Sequence, residues 1–139
     1  VGLDHVQLSI PRGEEALARL FYGGVLGLDE VSKPKALRGR GGCWFVGAGV
    51  AVHLGAVRHF RPATRAHTAF VVDDIDAARR TLESAEVDIE EDTSGLPARR
   101  FYVADPFGNR IELIAAADGG FTHRRRHRRA RRPITGSGG

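Results

Sequence analysis

Four side chains in this sequence could share one divalent cation: His5, His53, His67 and Glu112. Imidazole and carboxylate together suit Zn, Fe, Ni or Mn rather than Ca, and a site that keeps open coordination positions can do chemistry. Their spacing makes them a set. His5 and His53 are 48 residues apart, His67 and Glu112 are 45 apart, and His67 follows His5 by 62. Glu112 raises the question most sharply, because it interrupts the strand-like run NRIELIA and a carboxylate is almost never buried without a compensating partner. Taken singly, each residue has a plainer reading, since a strand His is usually hydrogen-bonded or exposed and a strand Glu usually faces water. The repeated positions favour a shared cation, which would also neutralise Glu112.

Such a set requires two copies of one structural plan. In LDHVQLSI (3–10), alternation puts Leu3, His5, Gln7 and Ser9 on one side and Asp4, Val6, Leu8 and Ile10 on the other, predicting a strand whose second face packs on a helix. Pro11 and Gly13 end it. GEEALARLFYGGVLGL then has helical spacing, with Leu17, Leu20, Phe21 and Val25 on one face and Glu14 and Glu15 at the positive end of the helix dipole. LDEVSK, GCWFVG and VAVHLGAV read as strands between Gly and Pro punctuation. The order then repeats as AHTAFVV, a helix over about 74–86, VDIEED, RRFYVAD and NRIELIA. The two repeats span 3–57 and 66–115. Aligning them sets His53 against Glu112 and WFV (44–46) against FYV (101–103), making the turn before the last strand two residues longer in the second copy. In that turn, DPFGN, Pro106 fixes φ, Gly108 permits a positive φ and Asp105 can bond back to turn amides. Its expected work is structural, because a one-residue slip would turn Glu112 to the opposite face.

Composition narrows the function classes. The 139 residues are 42% hydrophobic, enough for a core in one domain spanning 1–118. No run of eighteen apolar residues occurs, so no membrane helix is expected, and VGLDHVQLSI lacks the basic-then-apolar pattern of a signal peptide. Cys43 is the only cysteine, which excludes an internal disulfide, fits a cytoplasmic setting, and reads as a small inert core residue in GGCWFV. The net charge of +4 is uneven: seven arginines fall in HRRRHRRARR, leaving fourteen basic and seventeen acidic side chains in residues 1–118. The stretch 119–139 is expected to be a disordered appendage, with weak nonspecific polyanion binding as its functional reading.

DHVQLSI with His5, FYGGVLGL (21–28), AVHLG with His53, AHTAFVVDDID with His67 and FYVADPFGNRIELI with Glu112 together resemble the vicinal oxygen chelate superfamily of glyoxalases, bleomycin-resistance proteins and extradiol dioxygenases. The resemblance covers nearly all of residues 3–115, and the strand, DPxGN turn and Glu of the last motif is its most specific part. It implies an α+β fold in which two βαβββ modules pair into a cupped, barrel-like mixed sheet around a cleft, helices outside. It also implies a homodimer, sometimes with modules exchanged between chains. Ligands in metal-dependent members come from the first, fourth, fifth and eighth strands, which carries over to His5, His53, His67 and Glu112. Many members omit the fourth-strand ligand, so His53 could instead contact substrate or carry a proton.

The implied activity is metal-dependent chemistry on a small oxygenated molecule, an isomerase, lyase or thiol-transfer reaction with Lewis-acid stabilisation of an oxyanion, and with Glu112 and His53 as catalytic candidates. Tyr102, Asp105, Pro106, Gly108 and Glu112 match the end of the extradiol dioxygenase motif, but its preceding His is missing from SGLPARRF (94–101). Trp44, Phe101, Tyr102 and Arg99 are the candidate substrate contacts, and Arg100, Arg58 and Arg61 could join Arg99 in meeting an anionic substrate. The competing reading is a metal-free binding protein of the bleomycin-resistance type, with an aromatic-lined groove at a dimer interface.

Overall fold

The computed structural model describes residues 1–47 and 49–117. The basic stretch, and with it the expected polyanion contact, lies outside the described residues. The first module runs β1 (Val6–Pro11), α1 (Glu15–Ala18) continuing as a wider π-type segment (Arg19–Val25), β2 (Asp29–Val31), a short 3-10 turn (Lys35–Arg40), β3 (Cys43–Gly47) and β4 (Val50–Val57). The second runs β5 (Thr68–Val72), α2 (Ile75–Ser84), β6 (Ile89–Glu91), β7 (Arg100–Ala104) and β8 (Arg110–Ala115). This is the expected pair of βαβββ modules. Each forms a four-stranded mixed sheet, ordered β1-β4-β3-β2 and β5-β8-β7-β6, with β1 parallel to β4 and β5 parallel to β8. The sheets do not close into a barrel.

Alternation sorts each strand between two faces. Toward the helices point Ile10, Cys43, Phe45, Val52 and Leu54 in the first sheet and Phe70, Phe101, Val103, Ile111 and Leu113 in the second, all buried. Each such aliphatic side chain contributes about 1.5–3 kcal/mol by leaving water. The opposite faces carry the chemistry-bearing residues. α2 is an ordinary amphipathic helix, buried through Ile75 and Leu82 and capped by Asp74, whose carboxylate accepts from the Ala77 amide at 2.8 Å.

The first helix departs from its expected face. Ala18, Phe21 and Tyr22 are buried, whereas Leu17 and Leu20 are 44% and 67% exposed. Ala18, Phe21 and Tyr22 are helical neighbours at i, i+3 and i+4, so the buried stripe is simply turned by about one residue from the expected one; beyond Phe21 the winding widens, with the Leu26 amide donating to the carbonyl of Phe21, five residues back. The inward position of Tyr22 has a use, because the Tyr22 hydroxyl donates to Asp105 Oδ2 at 2.8 Å and so reaches the other module.

Register also corrects the alignment of the repeats. Trp44 faces His53 across the β3–β4 pair and Tyr102 faces Glu112 across the β7–β8 pair, so Trp44 corresponds to Tyr102 rather than to Phe101. Trp44 precedes His53 by nine positions and Tyr102 precedes Glu112 by ten, so the second turn is longer by one residue rather than two. On the other flank, β1 sets Gln7 beside His53 and β5 sets Ala69 beside Glu112. His5 and His67 each lie two residues before those neighbours, just ahead of their strands.

The DPFGN turn holds β7 and β8 in register as expected, and it also joins the modules. Asp105 Oδ1 accepts from the amides of Phe107 and Asn109, each at 2.9 Å, and Gly108 adopts φ +89°. Asn109 Nδ2 donates to the Ser9 carbonyl at 3.0 Å, Asn109 Oδ1 accepts from the Ala63 amide, and the Arg110 amide donates to the Ala63 carbonyl. Asp105 and Asn109 are buried yet fully bonded, and among the described residues no buried side-chain polar atom lacks a partner.

Candidate metal centre

The structure brings the four predicted ligands together in two pairs, one on the open face of each sheet. In the first module, His53 is sandwiched: its ring stacks on Trp44 at 3.7 Å and 5°, and His5 stacks on its other side at 4.1 Å and 23°. His5 Nδ1 is 2.7 Å from Asp4 Oδ2, which holds the Asp4 carboxyl below its usual range. The imidazole therefore donates through Nδ1 and keeps Nε2 free. Partial burial, with the adjacent His5 second, pushes the His53 pKa down, so its ring is neutral at pH 7 with a lone pair available.

In the second module, Glu112 is 5% exposed, and each carboxylate oxygen has one nitrogen partner. Oε2 lies 3.0 Å from His67 Nε2, and Oε1 accepts from Arg100 Nη1 at 2.9 Å. The other nitrogen of His67 settles its hydrogen positions. Nδ1 is 3.0 Å from the Arg65 carbonyl, an acceptor only, so Nδ1 carries a proton. Nε2 then faces a carboxylate, which also only accepts. This geometry is satisfied by a second proton on the ring or by another cation in its place. A 3.0 Å separation is close to the roughly 3.3 Å between neighbouring ligand atoms on a tetrahedral ion with bonds of about 2.0–2.1 Å. Both His5 and His67 thus anchor Nδ1 on an acceptor and present Nε2, the arrangement that orients imidazole toward a metal.

The two pairs do not meet within one chain. Among the described residues, no three His, Cys, Asp or Glu side chains converge closely enough to hold an ion. A single four-ligand cluster inside the chain, as the symmetry alone suggested, is not what this arrangement gives.

The candidate substrate contacts divide as well. Trp44 lies against His53, and Tyr102 lies beside Glu112, edge-on to His67 at 5.7 Å with the Arg110 guanidinium 4.0 Å above its ring. Phe101 faces the core and is 1% exposed, because neighbouring strand residues point to opposite faces. Arg99 pairs with Asp76 of α2 through two hydrogen bonds of 3.0 and 2.6 Å, also away from Glu112. Phe45 is core, and Phe60 meets Phe107 edge-on at 6.3 Å. Arg100 is the residue whose importance the spacing understated. It shares the open face with Tyr102 and Glu112, and the RR pair could have signalled it, since strand alternation sends only one of the two arginines inward.

A cavity of about 980 Å³ lies along the free edge of β5, lined by residues such as Val25, Leu28, Val50, Val71 and Leu82, and contains none of the four ligand-type residues.

With this geometry in hand, the comparisons agree on the family. The profile of the Glyoxalase/Bleomycin resistance protein/Dioxygenase superfamily matches residues 2–113, and the chain belongs to that superfamily. A glyoxalase family protein from Bacillus anthracis is 44% identical, with a TM-score of 0.80, covering 83% of this chain and 94% of its own. A glyoxalase/dioxygenase from Nostoc punctiforme is 26% identical, TM-score 0.66, covering 80% and 88%. The fosfomycin resistance protein FosX from Listeria monocytogenes, 18% identical with a TM-score of 0.66 over 81% and 89%, shares the fold. No curated protein matches the chain.

Proposed function

We propose that this protein is a metal-dependent enzyme acting on a small oxygenated molecule, with His5 and His53 of one copy and His67 and Glu112 of a second copy forming each site. The observation that carries the reading is the pair His67 and Glu112. An imidazole anchored through Nδ1 and aimed at a nearly buried carboxylate calls for a cation between them, and His5 repeats the same anchoring at the equivalent position. Neither pair alone offers a metal the three protein ligands of a catalytic site. A homodimer that sets the open face of one module against that of the other supplies all four. The edge of β5, unpaired among the described residues and with Val71 45% exposed, supports association, because such an edge invites cover.

A divalent Zn, Fe, Ni or Mn ion held there would polarise adjacent substrate oxygens as a Lewis acid. The chain's own residues do the rest. With the ion held by His5, His67 and Glu112, neutral His53 would be left to take a proton from a carbon or oxygen beside those atoms, and its stack between Trp44 and His5 fixes the ring plane. Tyr102, on the Glu112 side, is placed to contact substrate, whereas Phe101 and Arg99 point elsewhere. Isomerase, lyase and thiol-transfer chemistry all fit this apparatus.

Metal content of the purified protein, measured by mass spectrometry beside Glu112→Ala, tests the reading. About one divalent ion per chain is expected in the parent and a strong loss in the variant. Protein that takes up no ion after reconstitution would instead favour the metal-free binding protein.

A further inference from the structure

We propose that Arg100 is the resident counter-cation of Glu112, which an incoming divalent ion must displace, and that Asp92 receives the displaced guanidinium. The inference rests on the reading of Glu112 as a metal ligand and adds what sets the affinity.

Register places Arg100 within reach. It lies opposite Ile114, one diagonal step from Glu112 on the same face, near enough for a long side chain. Both groups of the pair are largely out of water, with 14% of the Arg100 side chain and 7% of the Glu112 side chain exposed. An ion bound to Glu112 would therefore have to share the carboxylate with a guanidinium or move it away.

Moving it away is feasible because Arg100 has a second set of partners. Its Nε donates to the Ala98 carbonyl at 3.3 Å and lies 3.8 Å from Asp92 Oδ2, itself in a sheltered position. Asp92 is in turn fixed by Ser94, whose amide and hydroxyl donate to it at 3.1 and 2.7 Å. A buried guanidinium released from Glu112 would be costly if it were left unpaired. Here it already leans on a carboxylate, so a small swing exchanges one ion pair for another.

The first module shows what the device is for. The position equivalent to Arg100 is Gly42, where an added Cβ would sit 2.0 Å from the Leu54 carbonyl oxygen, so this position cannot supply a counterpart of Arg100. A neutral imidazole needs no counter-cation before metal arrives. A buried carboxylate does.

Zinc and manganese titrations by calorimetry, on the reconstituted full chain, read the proposal directly. Arg100→Gln keeps length and hydrogen bonding but removes the charge, and it should tighten metal binding about tenfold or more. Asp92→Asn removes the receiver and should weaken binding; general loosening of the region would weaken binding in both variants, so the opposite signs carry the test. Unchanged or weakened affinity in Arg100→Gln would overturn the role of Arg100, even if Asp92→Asn also weakened it. Should Arg100→Gln fail to fold, Asp92→Asn decides the matter, and affinity equal to the parent's would overturn the proposal. Glu112→Gln separates the two levels: if it binds metal as tightly as the parent, the metal reading itself falls.

Discussion

The two modules follow one plan and hold their key residues at register-equivalent positions, yet they solve different electrostatic problems. His53 is a ring clamped between two other rings, and among the described residues no arginine or lysine is paired with it. Glu112 is a charge, and β7 supplies Arg100 while the strand entry supplies His67. The same β-strand address thus accepts either residue type, provided that the neighbouring strand supplies an aromatic clamp in one case and a counter-ion in the other. The turns differ likewise. In register the second module's turn is longer by one residue, and DPFGN gains the Asp105 and Asn109 bonds that fasten it to its twin.

That difference yields graded expectations. The largest concerns the fastening. Asp105→Ala leaves the Tyr22 hydroxyl and two turn amides without their acceptor and should cost about 3 kcal/mol or more in denaturant unfolding. The matching change in the first module's turn, Gly49→Asn, should cost far less, because Asn tolerates the φ of +83° found there. Equal losses would mean that the two turns do equivalent work. Next comes ligand asymmetry. Glu112→Ala should weaken metal binding on the order of a hundredfold or more, while His53→Ala should cost less, because Glu112 is the one anionic member of the proposed set and its loss would leave the Arg100 charge facing the ion. A larger loss at His53 would reverse the roles assigned to the two modules.

The smallest effect is a titration. Trp44 is the only tryptophan and stacks on His53, so its fluorescence reports the charge of that ring. The folded pKa of His53 lies below its ordinary value of 6.5, so the unfolded chain takes up the proton first as pH falls. The stability from a neutral His53 is therefore complete above that value and declines as pH drops beneath it. Quenching of Trp44 should have its midpoint below 6.5 and vanish in His53→Gln. A midpoint above 6.5 would contradict the partly buried, neutral ring.

Much of this was legible in the sequence. Apolar alternation located seven of the strands closely, the repeat tied His5 to His67 and His53 to Glu112, and the DPFGN chemistry foretold the register of β8. What escaped reading has definite physical causes. Helical spacing fits both the 17, 20, 21 stripe and the 18, 21, 22 stripe, and the second is buried here, where the Tyr22 hydroxyl meets Asp105 of the other module. Trp44 corresponds to Tyr102 because one extra residue sits in the second turn, a count that spacing between bulky side chains cannot supply. Arg99 and Arg100 are indistinguishable as letters, and only the pleat sends one to α2 and the other to Glu112. Finally, a repeat predicts equivalence of the halves but not whether they close on each other or on a second copy.

That last point admits a direct measurement. His5→Ala and Glu112→Ala each damage every site in a homodimer, but a mixed dimer keeps one site whole if the halves come from different chains. Equal amounts of the two variants, unfolded together, refolded and loaded with zinc, should recover roughly a quarter of the parent's tightly bound metal per chain. Recovery no greater than that of either variant refolded alone would contradict a site shared between copies.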